Sequence, residues 1–418
     1  MRAGRQASGN NRKHPSTAQE KTPHKYAEPE NVAQSAALMQ TLMRRKARNH
    51  RPCEAMEVHR RRRRAMPWTS RTDLAPRLPI IRASPHSESR VQPIASTPVA
   101  EVLEALNAQM NEVDAVIAQR LRSDVALINQ ISAYIIHAGG KRMRPKLVLM
   151  FANALGADSP ASRELAAVVE FIHTATLLHD DVVDESALRR GKQTANALFG
   201  NAASVLVGDF LYSRAFQMMV SVNRMRVLEV LADATNVIAE GEVLQLMNMH
   251  DPDVAVDSYL RVIRYKTAKL FEASARLGAV LADAPPALEE ACAGYGRALG
   301  TAFQLIDDTL DSEGTSESLG KNVGDDLREG KPTLPLLIAM ERGTEDDRAL
   351  IRHAIEHGEV ERLQDIVAIV RRTGALEATR EAARAEVAQA RQHLSALPLS
   401  KWKESLLEFA AQSVERSS

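Results

Sequence analysis

From about residue 97 onward, apolar side chains recur every three or four positions, the spacing that lines one face of an α-helix. Val99 to Ile131, Ser162 to Val183, Ala202 to Val222 and Val227 to Met249 all carry this period. The same stretches are rich in Ala, Leu, Val and Glu and poor in Pro, which favours helix. Helix-breaking residues punctuate them at Gly139-Gly140, Gly156 to Pro160, Pro252, Pro285-Pro286 and Gly314. No section alternates apolar and polar residues between turn signals, as a strand would. The pattern predicts one all-α domain over residues 96–418, with more helices than a four-helix bundle and a common core. No short internal repeat is visible.

Residues 1–95 have a different texture. They are rich in Arg, Ser, Pro, Asn and His, and too few large apolar residues cluster there to offset the entropy of ordering. The net charge of +1 hides this split. The first 95 residues hold 20 of the 54 Lys and Arg but only 7 of the 53 Asp and Glu, a net of +13, which leaves −12 on the remainder. The run Arg60 to Arg64 would repel itself in a compact fold. A disordered, solvated basic extension is the simplest reading. An organelle-targeting segment would explain the Arg/Ser bias but not Glu28, Glu30, Glu54 and Glu57. An arm for nucleic acid or an anionic membrane is the third alternative, and no nucleic-acid partner is expected.

Cys53 and Cys292 are the only cysteines, so there is no disulfide framework and no zinc-ligand spacing. A reducing cytoplasm fits. No apolar run approaches the roughly 18 residues of a membrane span, so membrane contact is expected to be peripheral at most.

Two acidic clusters carry the chemistry. In Asp180-Asp181-Val182-Val183-Asp184, Asp180 and Asp184 fall on one helix face, about 6 Å apart along the axis. Carboxylates stacked so closely repel unless a cation lies between them. Mg²⁺ takes one or two carboxylates together with substrate phosphates. One such cluster after an apolar stretch could be a solvated acidic face. The spacing recurs at Asp307-Asp308-Thr309-Leu310-Asp311, again after an apolar stretch, Phe303 to Ile306. Two such clusters, facing one another, can clamp a polyanion through metal ions.

Basic groups accompany them. Gly139-Gly140-Lys141-Arg142-Met143-Arg144-Pro145 places Lys141 and Arg144 on a glycine turn before a helix, where a phosphate can be held. Arg189-Arg190-Gly191 follows Asp184 by five residues, and His173 precedes Asp180 by two helical turns. Lys266, Thr267, Gln304, Lys321 and Lys331 are weaker candidates. Together they describe a carboxylate–metal site beside a metal-free basic site, an arrangement suited to two diphosphates.

Those residues resemble the trans-isoprenyl diphosphate synthases, in the long-chain polyprenyl group. The resemblance covers residues 97–418 in order: GGKRMRP at 139–145, EFIHTATLLHDDVVDESALRRG at 170–191, YKTA at 265–268, FQLIDDTLD at 303–311 and GKPTLPLL at 330–337. It implies a bundle of many antiparallel helices around a central cavity, Mg²⁺ as cofactor, and a homodimer. Isopentenyl diphosphate and an allylic diphosphate of farnesyl or geranyl type are the implied substrates. Asp180 and Asp184 would hold metal on the allylic diphosphate, with Asp181 nearby. Asp307, Asp308 and Asp311 would oppose them, Asp307 as the direct ligand. Lys141, Arg144, His173 and Arg190 match positions that hold isopentenyl diphosphate. Arg189, Lys266, Thr267, Gln304 and Lys321 match positions on the allylic diphosphate. No cysteine or serine nucleophile is needed.

Within that resemblance, the two-residue spacer of the first cluster and the small Ala175 and Thr176 before it point to a long product, such as a respiratory quinone side chain. A terpene cyclase is the nearest rival, but with one diphosphate it would not need Lys141, Arg144 and His173. A non-catalytic partner subunit would usually lack one aspartate cluster. The steric argument predicts that Ala175→Phe shortens the product; sizing the prenyl chains by chromatography checks this, and an unchanged length removes the argument.

Overall fold

The computed structural model describes residues 99–415 except 138, 190 and 314–323. The expected extension at 1–95, with Cys53 and the Arg60 to Arg64 run, lies outside the described residues. So do two candidates for the site, Arg190 and Lys321.

Helices make up nearly all of the rest. The N-terminal half runs α1 (Val99–Arg120), α2 (Ala126–His137), α3 (Met143–Ala154) and α4 (Pro160–Val183). A two-residue antiparallel ladder, β1 (Leu188–Arg189) with β2 (Lys192–Gln193), follows. Next come α5 (Ala195–Phe199), α6 (Asn201–Ser221), α7 (Met225–Asn248) and α8 (Val256–Ile263). A π-helical turn, Arg264–Ala268, carries α8 directly into α9 (Lys269–Leu281), and α10 (Pro286–Glu313) is the longest helix. The chain closes with α11 (Asp325–Arg328), α12 (Leu334–Arg342), α13 (Glu345–His357), α14 (Leu363–Arg372), α15 (Ala375–His393) and α16 (Lys401–Val414).

Local chemistry accounts for the element ends. Ser159 and Pro160 start α4, a cap residue followed by a proline whose missing N–H costs nothing at the first position. The expected stretch Val99 to Ile131 is two helices rather than one. Between them Asn129 Nδ2 donates to Ser123 O at 2.7 Å, and the Ser123 N–H donates to Asn129 Oδ1 at 3.1 Å. Short polar side chains compete with helical bonds in this way. The apolar period continues on both sides, so the pattern alone does not reveal the break. The small ladder was likewise unexpected; Gly191, at φ 72°, makes its turn.

The core centres on α10, which packs against α9 and α15, while α9 lies on α3 and α4 lies on α6. Phe151, Phe171, Phe271 and Tyr295 are fully buried. The Tyr295 ring meets Phe151 edge-on at 5.2 Å, and its hydroxyl donates to Leu406 O at 2.7 Å. Burial of each such ring contributes about 1.5–3 kcal/mol. A second apolar cluster, including Ile131, Ile135, Ala175, Leu178, Val207 and Leu211, joins α2, α4 and α6. Helix α4 is therefore held by apolar clusters on two sides, and its last turn carries the first aspartate cluster.

Candidate active site

A cavity of about 580 Å³ opens among α3, α4, α7, α8, α9 and α10. Asp180 and Asp184 reach it from the end of α4, and Asp307 and Asp311 from the end of α10. Each pair is four residues apart, so the helix directs both carboxylates to the same side. His173 stands two turns before Asp180 on α4 and also lines the cavity.

The inner aspartate of each cluster is buried instead. A step of one residue turns the side chain by about 100° around the helix. Asp181 is fully buried, and Arg189 grips its Oδ1 through Nε at 2.8 Å and Nη2 at 2.7 Å. Asp308 is 3% exposed and accepts hydrogen bonds from Tyr259 and Gln304. Arg189, expected on a diphosphate, therefore already holds Asp181 while it lines the cavity.

Two lysines sit among the outer carboxylates. Lys266 Nζ lies 3.7 Å from Asp180 Oδ2 and 2.5 Å from Glu242 Oε2. Lys331 Nζ lies 3.2 Å from Asp184 Oδ2 and also pairs with Glu329. The π-helical turn sets Lys266 and Thr267 in the wall, a common use of such bulges at functional sites. It fits only because its neighbours lack side chains: a Cβ at Gly241 would come 2.6 Å from Lys266 N, and one at Gly300 would come 2.6 Å from Ala268 Cα.

The glycine turn before α3 brings Lys141 and Arg144 to the same cavity. Arg142 adopts a left-handed conformation, φ 49°, and pairs with Glu170 at 3.0 Å, so its charge fixes the loop. The Arg144 guanidinium stacks 4.5 Å above the Phe271 ring. Of the expected site residues, Asp180, Asp184, Asp307, Asp308, Asp311, Lys141, Arg144, His173, Arg189, Lys266, Thr267 and Gln304 share this one cavity; Asp181 lies behind it.

A sequence profile of the Polyprenyl synthetase family matches residues 125–370. The octaprenyl diphosphate synthase of Escherichia coli (strain K12) is 55% identical over 318 residues, 76% of this chain and 98% of that protein. The chain belongs to the polyprenyl synthetase family. It is a prenyltransferase that makes polyprenyl diphosphates. An all-trans-nonaprenyl-diphosphate synthase of Rhodobacter capsulatus (geranyl-diphosphate specific) is 43% identical, covering 76% of this chain and 96% of that protein. A crystal structure of a polyprenyl synthase from Caulobacter crescentus, complexed with calcium and isoprenyl diphosphate, superposes with a TM-score of 0.74 at 47% identity. It covers 78% of this chain and all of that one.

Electrostatics in the synthase follow from crowding. Burial pushes Glu242 up to about 7, with Lys266 pulling down and the charges of Asp180 and Asp184 pushing further up. Burial also pushes Asp308 up to about 7, helped by Asp326. Burial alone would lower Lys331, but Asp326, Asp184 and Glu329 overcome it and keep the ammonium charged. Far from the cavity's carboxylates, burial pushes the Cys292 thiol up to about 12, so it is no nucleophile.

Eight carboxylates and six Lys or Arg groups line the cavity, so its wall is net acidic. A diphosphate would meet repulsion there until cations neutralise the excess. The outer carboxylates are hard oxygen donors of the kind Mg²⁺ prefers. No group of three or more His, Cys, Asp or Glu among the described residues could hold a metal ion by itself. By its chemistry the donor set fits Mg²⁺.

Glu242, Tyr259 and Asp326 line the cavity without having been singled out from the sequence, and Lys331 had been a weak candidate only. Lys331 belongs to the GKPT segment at 330–333 and Asp326 lies four residues before it, and that position is their one signal. Glu242 and Tyr259 carried none, because each sits in a helix that reads as ordinary amphipathic surface. The Asp181–Arg189 pair yields a stability prediction. Removing one partner leaves the other's charge buried, so Arg189→Ala should destabilise the fold by about 3–5 kcal/mol in chemical denaturation. A much smaller loss would mean that the pair is replaceable.

Proposed function

We propose that this chain condenses isopentenyl diphosphate successively onto an allylic diphosphate and releases a long trans-polyprenyl diphosphate. What carries the reading is the single cavity bordered by both acidic pairs and by the glycine-turn cations. Lys141, Arg144 and His173 would hold isopentenyl diphosphate. Asp180, Asp184 and Asp307 would hold Mg²⁺, and through it the allylic diphosphate, which Arg189, Lys266, Thr267 and Gln304 also contact. The crystallised relative with calcium and isoprenyl diphosphate supports a divalent ion here.

When bound, magnesium would draw off the negative charge that gathers on the departing diphosphate. Lys266 and Lys331, now paired with aspartates, stand ready to turn to the same phosphate oxygens. The allylic C–O bond breaks and its electron pair leaves with the diphosphate. The double bond of isopentenyl diphosphate then attacks the allylic carbon, and the new cation gives up one proton to the released diphosphate, which restores a double bond. Apolar neighbours such as Leu177, Phe271 and Phe303 keep water from that cation.

Thr176 and Ala175 part company in the fold. Thr176 lines the cavity, whereas Ala175 is buried in the second apolar cluster. Thr176 is the wall residue that a growing chain would pass, and Ala175 acts from behind it. A quinone side chain is the product we favour. The homodimer that the resemblance implies would cover Leu206 and Val220 of α6 and Val243, Leu246 and Met247 of α7, which are 57–67% exposed. A cytoplasmic location fits the two-cysteine composition. Among the described residues, no helix is long and apolar enough to cross a membrane.

Labelled isopentenyl diphosphate with farnesyl diphosphate and Mg²⁺ tests the reading, with product sizing. Long prenyl chains should form and should vanish on chelation of the metal. Turnover of the allylic diphosphate without isopentenyl diphosphate would instead point to a cyclase.

A further inference from the structure

The buried carboxylate of Asp308 is gripped at both oxygens. The Tyr259 hydroxyl donates to Oδ2 at 2.5 Å, and Gln304 Nε2 donates to Oδ1 at 2.7 Å. Gln304 Oε1 accepts from the Thr267 hydroxyl at 2.8 Å. Four residues are thus joined in a row from α8 across α10 to the π-helical turn, and all four line the cavity.

This row has a direction. Asp308 Oδ1, 2.7 Å from Gln304 Nε2, accepts from the nitrogen end of the Gln304 amide. The oxygen end is then left for Thr267. Tyr259 fixes Asp308 in turn. Burial and the neighbouring Asp308 charge raise its phenol well above the usual value, so it keeps its proton and remains a donor. Without that donor the second oxygen of this buried carboxylate would lose its partner, and the carboxylate would rotate to find another.

We propose that Tyr259 is a positioning residue for the condensation: through Asp308 it holds the Gln304 amide in one orientation against the allylic diphosphate. The inference rests on the reading above, in which Gln304 contacts that substrate. It also separates Asp308 from its neighbours, since a carboxylate engaged at both oxygens serves as a strut while Asp307 and Asp311 face the cavity.

Tyr259→Phe keeps the ring and removes only the hydroxyl. Steady-state kinetics on the full-length enzyme with Mg²⁺, varying each substrate in turn, read the effect. The variant should lose about tenfold in kcat/KM for the allylic diphosphate, the scale of one hydrogen bond to a charged group. Its KM for isopentenyl diphosphate should be unchanged, and the substitution should add nothing in a Gln304→Ala background. A lower melting temperature with both kinetic constants intact would overturn the inference, as would losses from Tyr259→Phe and Gln304→Ala that simply add. Asp308→Asn is the second arm, should Tyr259→Phe fail to fold. Its amide nitrogen can meet Gln304 Nε2 donor to donor and turn that amide over, so the same selective loss is expected; unchanged kinetics overturn the inference. A wild-type enzyme that fails to extend the allylic diphosphate overturns the functional reading and this inference together. An active wild type beside an unaffected variant overturns this inference alone.

Discussion

Repulsion between carboxylates is the constraint around which this cavity is built. Asp180 and Asp184, and Asp307 and Asp311, arrive as same-face pairs because a helix turns once in about 3.6 residues. Two such pairs on one cavity wall cannot remain uncompensated in surroundings partly closed to water. At the first pair the protein meets this with lysines: Lys266 against Asp180 and Glu242, and Lys331 against Asp184 and Glu329. Those ammonium groups are donors on flexible stems, so they can give up a carboxylate to a divalent ion and take a phosphate instead.

The apolar architecture serves that site by fixing helix ends. Helix α4 is wedged between the main core and the second cluster, and α10 lies between α9 and α15. Their last turns therefore have little freedom to slide, and the acidic pairs inherit that rigidity. The buried inner aspartates add to it: Asp181 ties the end of α4 to the β-ladder through Arg189, and Asp308 ties α10 to α8 through Tyr259. Each cluster thus divides its labour, with outer residues facing the ligand space and an inner residue facing the frame.

Much of this was legible in the sequence because it follows from period and spacing. The helical class, the facing of Asp180 with Asp184, and the reach of His173 all come from 3.6-residue geometry. What stayed hidden depends on long-range contacts that no local pattern encodes. The burial of Asp181 and Asp308 follows from what packs beside them. Glu242 joins the site only because Gly241 lets α7 approach the π-helical turn closely. The break between α1 and α2 hides within an uninterrupted apolar period, where Ser123 and Asn129 bond to each other. The ladder at Leu188–Gln193 is too short to show alternation.

The account stands on both acidic pairs acting on one ligand. Calorimetric binding of inorganic diphosphate in Mg²⁺ tests this most directly, comparing wild type with Asp180→Asn, Asp307→Asn and the double variant. If the pairs share a diphosphate, each single change should remove most of the metal-dependent affinity and the double variant should lose little more. Independent, additive losses, or an Asp307→Asn variant that binds as wild type does, would contradict it.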